Sequence, residues 1–398
     1  MIGARSPHWT VRPIDSVELP AAARLEALAF GSGEQDRGEV TRLPHGAATG
    51  AFDDTGKLLA KAHDRPQSHW FGGRLVPASG VAGVAVRPEA RRQGLAEGVL
   101  AALLRSAHER GAVLSVLFRT VPGLYRRLGW HDVGALVWTA VPTLALAGLR
   151  VPREIMLRPA ADADLAAMTA LYSELARSGA GFLDRAQPMV RELSHDPAGS
   201  CGITLAEDAG GTLLGYMRWR RSAEHGPGAT LFADELLGVI PPAYLALLSS
   251  LGSWGEVLPT TILRLAEQDP AGWLLPVDGA RHATRTWMLR TIDAVAAIAA
   301  RGWPAELHGE LDLDVTDALC PWHAGPHRLV LEDGSGRLER GGRGTVAISS
   351  QGLAALYAGG TSAALLHRGG LLSGGDAATD AWLDQAAGGP RPILLDSF

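Results

Sequence analysis

One segment constrains the fold more than any other: an apolar strand that leads through a short basic turn into an apolar helix. The strand covers residues 81–86 and stops before Pro88, and then Arg91, Arg92 and Gly94 precede the helix. A helix that begins there presents backbone N–H groups without intrahelical partners and the positive end of its dipole. This order predicts an α/β unit with a site for a phosphate or pyrophosphate at the start of the helix.

The turn does not match the two commonest phosphate motifs, because it has neither three glycines at fixed spacing nor Gly-Lys-Ser/Thr. The run Arg91-Arg92-Gln93-Gly94-Leu95-Ala96 instead resembles the acyl-CoA loop of the GCN5-related N-acetyltransferases (GNAT), Arg/Gln-x-x-Gly-x-Gly/Ala. Glycine lets a ligand approach the backbone, and the arginines supply charge. The alternative is a surface turn with two solvated arginines, since short motifs recur by chance.

A second motif strengthens the resemblance. After an apolar strand at residues 113–118, the segment Leu124-Tyr125-Arg-Arg-Leu-Gly129-Trp130 resembles the family's tyrosine followed by Leu/Phe-Gly-aromatic. The helix that carries the tyrosine is expected to end at Gly129. Upstream, a strand at residues 9–12, a helix at 21–30 and a hairpin that turns at 53–56 complete the order typical of that family.

Length and charge limit the function classes. A chain of 398 residues exceeds one ordinary core, so two or three domains are expected. The net charge of −5 argues against a nucleic-acid partner, which needs a basic face. No signal peptide and no apolar run of about 18 residues is visible, so no membrane partner and a cytoplasmic location are expected. Cys201 and Cys320 do not suggest a disulfide framework.

A weak internal repeat divides the chain. Residues 155–162, a strand followed by Arg-Pro and an acidic residue, echo residues 9–15. Strands at 203–219 and 229–237 and a helix at 241–251 continue the second copy. That helix starts with Pro241-Pro242 and has no basic glycine loop, so the second unit is interpreted as a degenerate copy that does not bind the cofactor.

A third unit follows, and no catalytic motif is visible in it. The pattern predicts a helix at 294–301, strands at 308–315, 327–332 and 344–348, and helices at 350–357 and 361–368. We place the domains at residues 1–140, 141–284 and 285–398. The apolar Ile393-Leu394-Leu395 near the end predicts a buried tail, contrary to the usual behaviour of chain ends.

The whole chain resembles the Eis family of multi-acetylating N-acetyltransferases. The later segments that match are 267–275, 287–303, 351–360 and the terminal Phe398. The resemblance implies a mixed α/β (α+β) fold with two fused GNAT-like domains followed by a sterol-carrier-protein-like domain. It also implies a homo-oligomer, a hexamer in the family.

The resemblance also implies roles for individual residues. The backbone at Val84 and Val86 would pair with the pantetheine arm of acetyl-CoA, the acyl donor. Arg91, Arg92, Gly94, Leu95 and Ala96 would form the pyrophosphate loop. Tyr125 would be the general acid that protonates the departing thiolate, and the α-carboxylate of Phe398 the general base.

These roles suit the chemistry of amine acetylation. A primary amine with an ordinary pKa of about 10 is protonated at pH 7, so a base must remove a proton before attack. A terminal carboxylate has an ordinary pKa of about 3.5 and is a weak base unless it is desolvated. The apolar residues 393–395 ahead of Phe398 would provide part of that desolvation.

The acceptor pocket departs from the family pattern. Ser32 stands where family members commonly have an acidic residue, with Glu34 nearby, and Ser397 replaces a penultimate acid, with Asp396 one step earlier. Trp70 precedes the catalytic strand and is expected to wall the substrate cleft. The candidate acceptor-binding residues are therefore Ser32, Glu34, Trp70 and Asp396.

Two other groups of residues carry less weight. Cys320, His323 and His327 have ligand-like spacing, but only three ligands are visible and prolines interrupt them, so no metal site is expected. The isolated His63 and His69, like His108, are interpreted as partly exposed structural histidines.

The leading hypothesis is an acetyl-CoA-dependent N-acetyltransferase that acts on primary amines by direct attack in a ternary complex. Aminoglycoside-like or polyamine acceptors are expected. Two alternatives remain open: a non-catalytic GNAT-derived binding or scaffold protein, and an acyltransferase for a biosynthetic intermediate.

Overall fold

The computed structural model describes residues 9–31, 46–151, 153–186, 202–224 and 226–396. Ser32, Glu34, Ser397 and Phe398 therefore lie outside the described residues. Two sheets organise the described chain, a large one built from the first two units and a five-stranded one in the third unit.

The first unit has the predicted strand–helix–hairpin order. Its elements are β1 (Trp9–Pro13), α1 (Leu19–Phe30), β2 (Ala47–Asp53), β3 (Leu58–Phe71), β4 (Arg74–Val86), α2 (Leu95–Glu109), β5 (Leu114–Phe118), α3 (Pro122–Arg127) and β6 (His131–Pro142). The predicted hairpin at residues 53–56 joins β2 to β3, which pair antiparallel. Strands β4 and β5 run parallel because α2 crosses between them.

Local sequence explains the two helices that frame the site. Helix α1 has Pro20 in its first turn, where no N–H partner is lost, and ends at Gly31 in the left-handed conformation. Helix α2 buries the stripe formed by Leu95, Val99 and Leu103 against the sheet.

The second unit repeats this order. It comprises α4 (Thr143–Ala147), β7 (Met156–Pro159), α5 (Leu165–Ser178), β8 (Ala180–Leu183), β9 (Gly202–Glu207), β10 (Leu213–Arg221), β11 (Thr230–Gly238), α6 (Pro241–Gly252), β12 (Thr260–Ala266) and α7 (Pro270–Trp273). The single strand predicted at 203–219 is wrong. Asp208 accepts hydrogen bonds from the N–H groups of Gly210 and Thr212, and the turn so formed separates β9 from β10.

The structure confirms the internal repeat at atomic detail. In the first unit Arg12 donates to Glu18, six residues on, and in the second unit Arg158 donates to Asp164, also six residues on. In both copies the same carboxylate accepts a backbone N–H at the helix start. The repeated Arg-Pro segment thus fixes the turn between the first strand and the first helix of each unit.

The two units exchange strands across one continuous sheet. Strand β13 (Ala280–Thr291) follows the second unit in sequence but lies between β5 and β6 of the first. Strand β6 in turn pairs with β12 of the second unit. The predicted domain boundaries at 140/141 and 284/285 therefore fall inside β6 and β13, and neither marks the end of a folding unit.

The third unit has the predicted sheet flanked by helices. It contains α8 (Ala294–Ala300), β14 (Gly309–Thr316), β15 (Gly325–Glu332), β16 (Ser335–Arg340), β17 (Val346–Ser349), α9 (Ser350–Ala358), α10 (Ala363–Arg368), β18 (Leu372–Gly374) and α11 (Ala377–Ala386). Its strands have the order β16-β15-β14-β17-β18. The predicted burial of the tail is confirmed for Leu394 and Leu395.

A buried ion pair fastens β13 to the third unit. Arg290 donates to both oxygens of Asp317 at 2.7 Å, and both side chains are about 1% exposed. The Asp317 carboxylate also accepts the N–H of Cys320 and bonds with His323. Cys320 and His323, which have ligand-like spacing in the sequence, therefore have a structural role. No helix among the described residues is long and apolar enough to cross a membrane.

Candidate active site

The start of α2 has the geometry of an anion site. Gly94 is the residue before the helix, with φ 77° in the left-handed region, and no side chain caps the helix there. Arg92 also has a positive φ, 66°, and two such residues in one turn orient successive N–H groups into a concavity. A Cβ added to Gly94 would meet nothing within 4 Å. A phosphate therefore has open access to the backbone, between two exposed arginines.

The strands ahead of this turn open into a cleft. Strand β4 pairs with β5 only from Ala78 to Gly80, so within the described chain the edge of β4 from Val81 to Val86 has no partner on the β5 side. A register shift between Lys61 and His63 of β3 marks a bulge in β4 at Gly83, where φ is 56°. A bulge of this kind bends the strand and redirects its backbone groups. Val84 and Val86 lie on this free edge, as a strand that pairs with a ligand requires.

Tyr125 lies in α3, just after β5 ends. Its side chain is 3% exposed and its ring meets Trp130 edge-on at 6.0 Å. Burial raises the pKa of Tyr125 above its ordinary value, although a hydrogen bond with Thr120 opposes the rise. The hydroxyl is therefore protonated at neutral pH, which is the state a general acid needs.

The structure brings most of the predicted site residues together. Leu95 and Tyr125 belong to one buried cluster, and Val84 and Val86 pack against it. The arginines and Gly94 stand at the head of the helix that this cluster holds. One packing unit therefore supports the pyrophosphate turn, the free strand edge and the acid.

Asp396 lies in a buried network and is not free to bind a ligand. Arg185 donates from Nε to Asp396 at 3.0 Å and from Nη1 to Glu235 at 2.6 Å. Tyr172 donates to Asp396 at 3.2 Å, and Tyr216 donates to Glu235 at 2.8 Å. Burial disfavours the Arg185 cation, but the two carboxylates outweigh burial and hold its pKa well above the ordinary value.

This network fastens the chain end to the second unit, because Tyr172 lies in α5 and Glu235 in β11. Three residues earlier the Ile393 N–H donates to the Ala180 carbonyl at 2.7 Å. Asp396 is therefore better interpreted as an anchor of the tail than as an acceptor-binding residue.

A row of polar side chains, four buried and Arg65 partly buried, lies along one face of β3. Alternate residues of a strand share a face, so Lys61, His63, Arg65, Gln67 and His69 all point the same way. Lys61 pairs with Glu26 of α1, although its own side chain is only 1% exposed. At the other end His69 donates to the Gly181 carbonyl at 2.8 Å, so the row runs from α1 to β8.

The row corrects the interpretation of two histidines. His63 is 5% exposed and His69 is 0% exposed, so neither is partly exposed as predicted. Burial lowers the pKa of each to about 4, and both are neutral at pH 7. The sequence shows no clear signal for this row, because Asp64 and Ser68 between its members are polar as well.

Trp70 lies away from the turn at α2. Along β3 it is ten residues from Ala60, which pairs with Val86, and a strand of that length spans roughly 33 Å. Its ring packs against the core and under the guanidinium of Arg177, 5.2 Å away. The structure therefore does not bring Trp70 together with Val86 and the pyrophosphate turn.

The second unit lacks the corresponding site. Helix α6 begins with Pro241 and Pro242 after Ile240, so two N–H groups of its first turn are missing. An anion has no backbone cradle there, which agrees with a degenerate copy.

A separate cavity of about 350 Å³ lies where β6 and β13 meet the third unit. Its lining includes Arg119, Asp132, Glu267, Arg281 and Arg391, and it contains none of the predicted site residues. Arg119 is already paired with Asp132 at 2.8 Å.

Known proteins resemble the chain both in parts and as a whole. Residues 10–133 match the acetyltransferase (GNAT) domain, and residues 294–395 match the sterol carrier protein domain. The crystal structure of Eis1 from Mycobacterium abscessus superposes with a TM-score of 0.78 at 23% identity, covering 98% of this chain and 100% of that one. An uncharacterized N-acetyltransferase of Streptomyces coelicolor is 30% identical over 306 residues, 73% of each chain.

The chain belongs to the GCN5-related N-acetyltransferases. This acetyltransferase is also similar to a GCN5-related N-acetyltransferase from Kribbella flavida, with a TM-score of 0.84 and 29% identity over 99% of this chain and 100% of that one. The predicted GNAT family, the mixed α/β fold with a sterol-carrier-like third unit, and the acetyltransferase class are confirmed.

Proposed function

We propose that this acetyltransferase transfers the acetyl group of acetyl-CoA to a primary amine in a ternary complex. The observation that carries the proposal is the juxtaposition of an uncapped helix start, a free strand edge and a protonated Tyr125 around one buried cluster. The first two suit a pyrophosphate and an extended pantetheine arm, because each offers unpaired backbone groups.

The donor would be held by seven residues, each through a feature that the structure shows. Val84 and Val86 offer the free edge of β4, and Arg91 and Arg92 offer exposed charge. The turn and first helical residues Gly94, Leu95 and Ala96 offer N–H groups.

The reaction needs three proton transfers. A base removes a proton from the acceptor ammonium, and the free amine nitrogen attacks the thioester carbonyl carbon. When the tetrahedral intermediate collapses, the C–S bond breaks and Tyr125 protonates the leaving thiolate. The base passes the first proton to solvent and the amide nitrogen's remaining extra proton restores Tyr125, so one proton is released overall for each acetyl group transferred.

We assign the base to the α-carboxylate of Phe398. The support is the anchored tail: Asp396 is held by Arg185, and two further residues extend at most about 7 Å. Desolvation would strengthen such a carboxylate as a base, and the preceding Leu394 and Leu395 are buried.

The acceptor is the least constrained part of the proposal. The family resemblance suggested aminoglycoside-like or polyamine acceptors. The polar row of β3 forms the described wall of the cleft beside Gly83, and it carries two cations, Lys61 and Arg65. That wall suits a polycation poorly. The candidate acceptor residues Ser32 and Glu34 lie outside the described residues.

The test is thiol release from acetyl-CoA with a panel of aminoglycosides, polyamines and amino acids. We expect amine-dependent release, a loss of about 10²-fold in kcat for Tyr125→Phe, and a similar loss when Phe398 is deleted. Calorimetric binding of acetyl-CoA without turnover of any amine would instead indicate a non-catalytic binding protein. Turnover only with a longer acyl-CoA would indicate the biosynthetic alternative.

A further inference from the structure

The polar row of β3 contains charge that the described protein does not neutralise. Lys61 and Arg65 are two cations, and the carboxylate that faces both belongs to Glu26. His63 between them is neutral, because burial and the two cations lower its pKa to about 4. The described row with its partner therefore carries a net charge of +1.

Glu26 is already engaged by the lysine. The Lys61 ammonium is buried and makes its ion pair with Glu26, whose side chain is 47% exposed. Arg65 makes no ion pair with any described carboxylate, and its Nε is buried without a hydrogen-bond partner. Arg65 is therefore the residue of the row whose N–H groups are available to a ligand.

The row lies next to the place where the acetyl group would be transferred. A Cβ on Gly83 would stand 3.1 Å from the Lys61 ammonium and 3.2 Å from the Glu26 carboxylate. Gly83 forms the bulge and is followed directly by Val84 on the free edge of β4. Arg65 pairs with Gly80, the last residue of β4 that also pairs with β5.

Mostly small residues of β4 pair with the row, and the Gln67 amide lies directly over Gly80. The partners of the row in β4 are Ala85, Ala82, Gly80, Ala78 and Val76. Two polar atoms of the row lack partners among the described residues: Nε2 of His63 and Oε1 of Gln67, whose residues are 5% and 3% exposed. Buried polar atoms of this kind ordinarily have partners, so a polar ligand group is a natural occupant.

We propose that Arg65 binds a carboxylate of the acceptor, so that the enzyme selects amines that also carry a carboxylate. The inference rests on the proposed function and gives its acceptor class. Arginine suits the role because its planar fork donates two parallel hydrogen bonds to a carboxylate. Lys61, held by Glu26, contributes positive potential, and His63 and Gln67 supply neutral hydrogen-bonding groups.

The test compares lysine with cadaverine, which has the same carbon chain and distal amine but no carboxylate. We expect kcat/KM to be at least tenfold higher for lysine. Lysine methyl ester, which keeps the shape but not the anion, should behave like cadaverine.

The variant Arg65→Gln should raise KM for lysine about tenfold, leave its kcat in place and leave cadaverine unchanged. Arg65→Lys should recover part of the loss because it restores the charge. The matched control is Arg328→Gln, an arginine of the third unit paired with Asp312, which should preserve the preference for lysine. A folding defect would lower the rates for both acceptors and would also weaken the binding of acetyl-CoA.

Calorimetry supplies a readout besides turnover. In the CoA-bound enzyme Nε-acetyl-lysine should bind more tightly to wild type than to Arg65→Gln. A preference for cadaverine, or an equal loss of both substrates in Arg65→Gln with acetyl-CoA affinity intact, would overturn the inference. Efficient acetylation of polyamines alone would leave the proposed function standing and refute only the acceptor class. If no amine is acetylated, both fail.

Discussion

The guanidinium of Arg185 holds both carboxylate oxygens of Asp396, with Nε donating at 3.0 Å and 3.2 Å. The bond joins the second unit to the last described residue of the chain. The second unit, whose helix α6 offers no anion site, therefore still contributes to the proposed function because it positions the tail that carries the base.

The tail network predicts a non-additive pair of changes. Asp396→Asn should lower kcat about tenfold, because the weakened anchor lets the chain end move away from the cleft. In a chain that lacks residues 397–398 the same substitution should have no further effect on the residual rate. Steady-state kinetics of the four proteins measures the coupling.

A matched control is Asp164→Asn, which alters another Arg–Asp pair of the second unit, with Arg158, away from the tail. It should leave kcat in place. If the effects of Asp396→Asn and the tail deletion multiply instead, the network acts on catalysis by a route other than the chain end.

The turn at α2 predicts a specific role for Gly94. Gly94→Ala places a Cβ where the donor phosphates approach and strains a left-handed residue by about 1 kcal/mol, so the KM for acetyl-CoA should rise about fivefold or more. The control Gly56→Ala alters a residue of similar φ, 80°, with equally open space, in the β2–β3 turn. Both variants should lose similar stability, and only Gly94→Ala should change the KM. Equal KM values in both would refute a donor site at this turn.

The Arg290–Asp317 pair predicts a large loss of stability. Asp317→Ala leaves a buried guanidinium without its counter-ion, which should lower the free energy of unfolding by about 3–5 kcal/mol in urea denaturation. Glu332→Ala removes the partner of exposed Arg337 and should change stability by less than about 1 kcal/mol. Similar losses in the two variants would mean that the buried pair is not specially stabilising.

His69 predicts a pH dependence of stability. Its pKa is lowered by burial from 6.5 to about 4, so the unfolded chain binds a proton on this residue at a higher pH than the folded chain does. The contribution of neutral His69 to the free energy of unfolding is therefore full above pH 6.5. It falls by roughly 2–3 kcal/mol as the pH drops toward 4. His69→Gln should remove that share of the difference between urea unfolding at pH 7.5 and at pH 4.5. An unchanged difference would show that His69 titrates normally.

Local patterns predicted the features that depend on neighbouring residues. The strand–turn–helix around Gly94, the short helix of Tyr125 and the hairpin at residues 53–56 were all foreseen, because glycine, proline and apolar spacing determine them locally. The sequence also predicted the buried tail, because apolar side chains such as those of Leu394 and Leu395 are stabilised by burial.

Features that depend on distant partners were not foreseen. Nothing within residues 280–291 shows that they pair with β5, because the partner strand lies more than 160 residues earlier. The bond between Asp396 and Arg185, which makes Asp396 an anchor of the tail, joins residues 211 positions apart. The polar row of β3 shows no period of two in the sequence, because Asp64 and Ser68 are polar too, and the pairing of Lys61 with Glu26 depends on how α1 packs.

The place of β13 has a consequence for synthesis on the ribosome. The catalytic sheet has a gap between β5 and β6 until residue 291 has left the exit tunnel. A nascent chain that contains the donor turn and Tyr125 therefore cannot complete its own core. Fragments cut at the apparent end of the first unit should expose the unpaired edges of β5 and β6 and aggregate. The acetyltransferase should therefore be active only after the chain has been synthesised through β13.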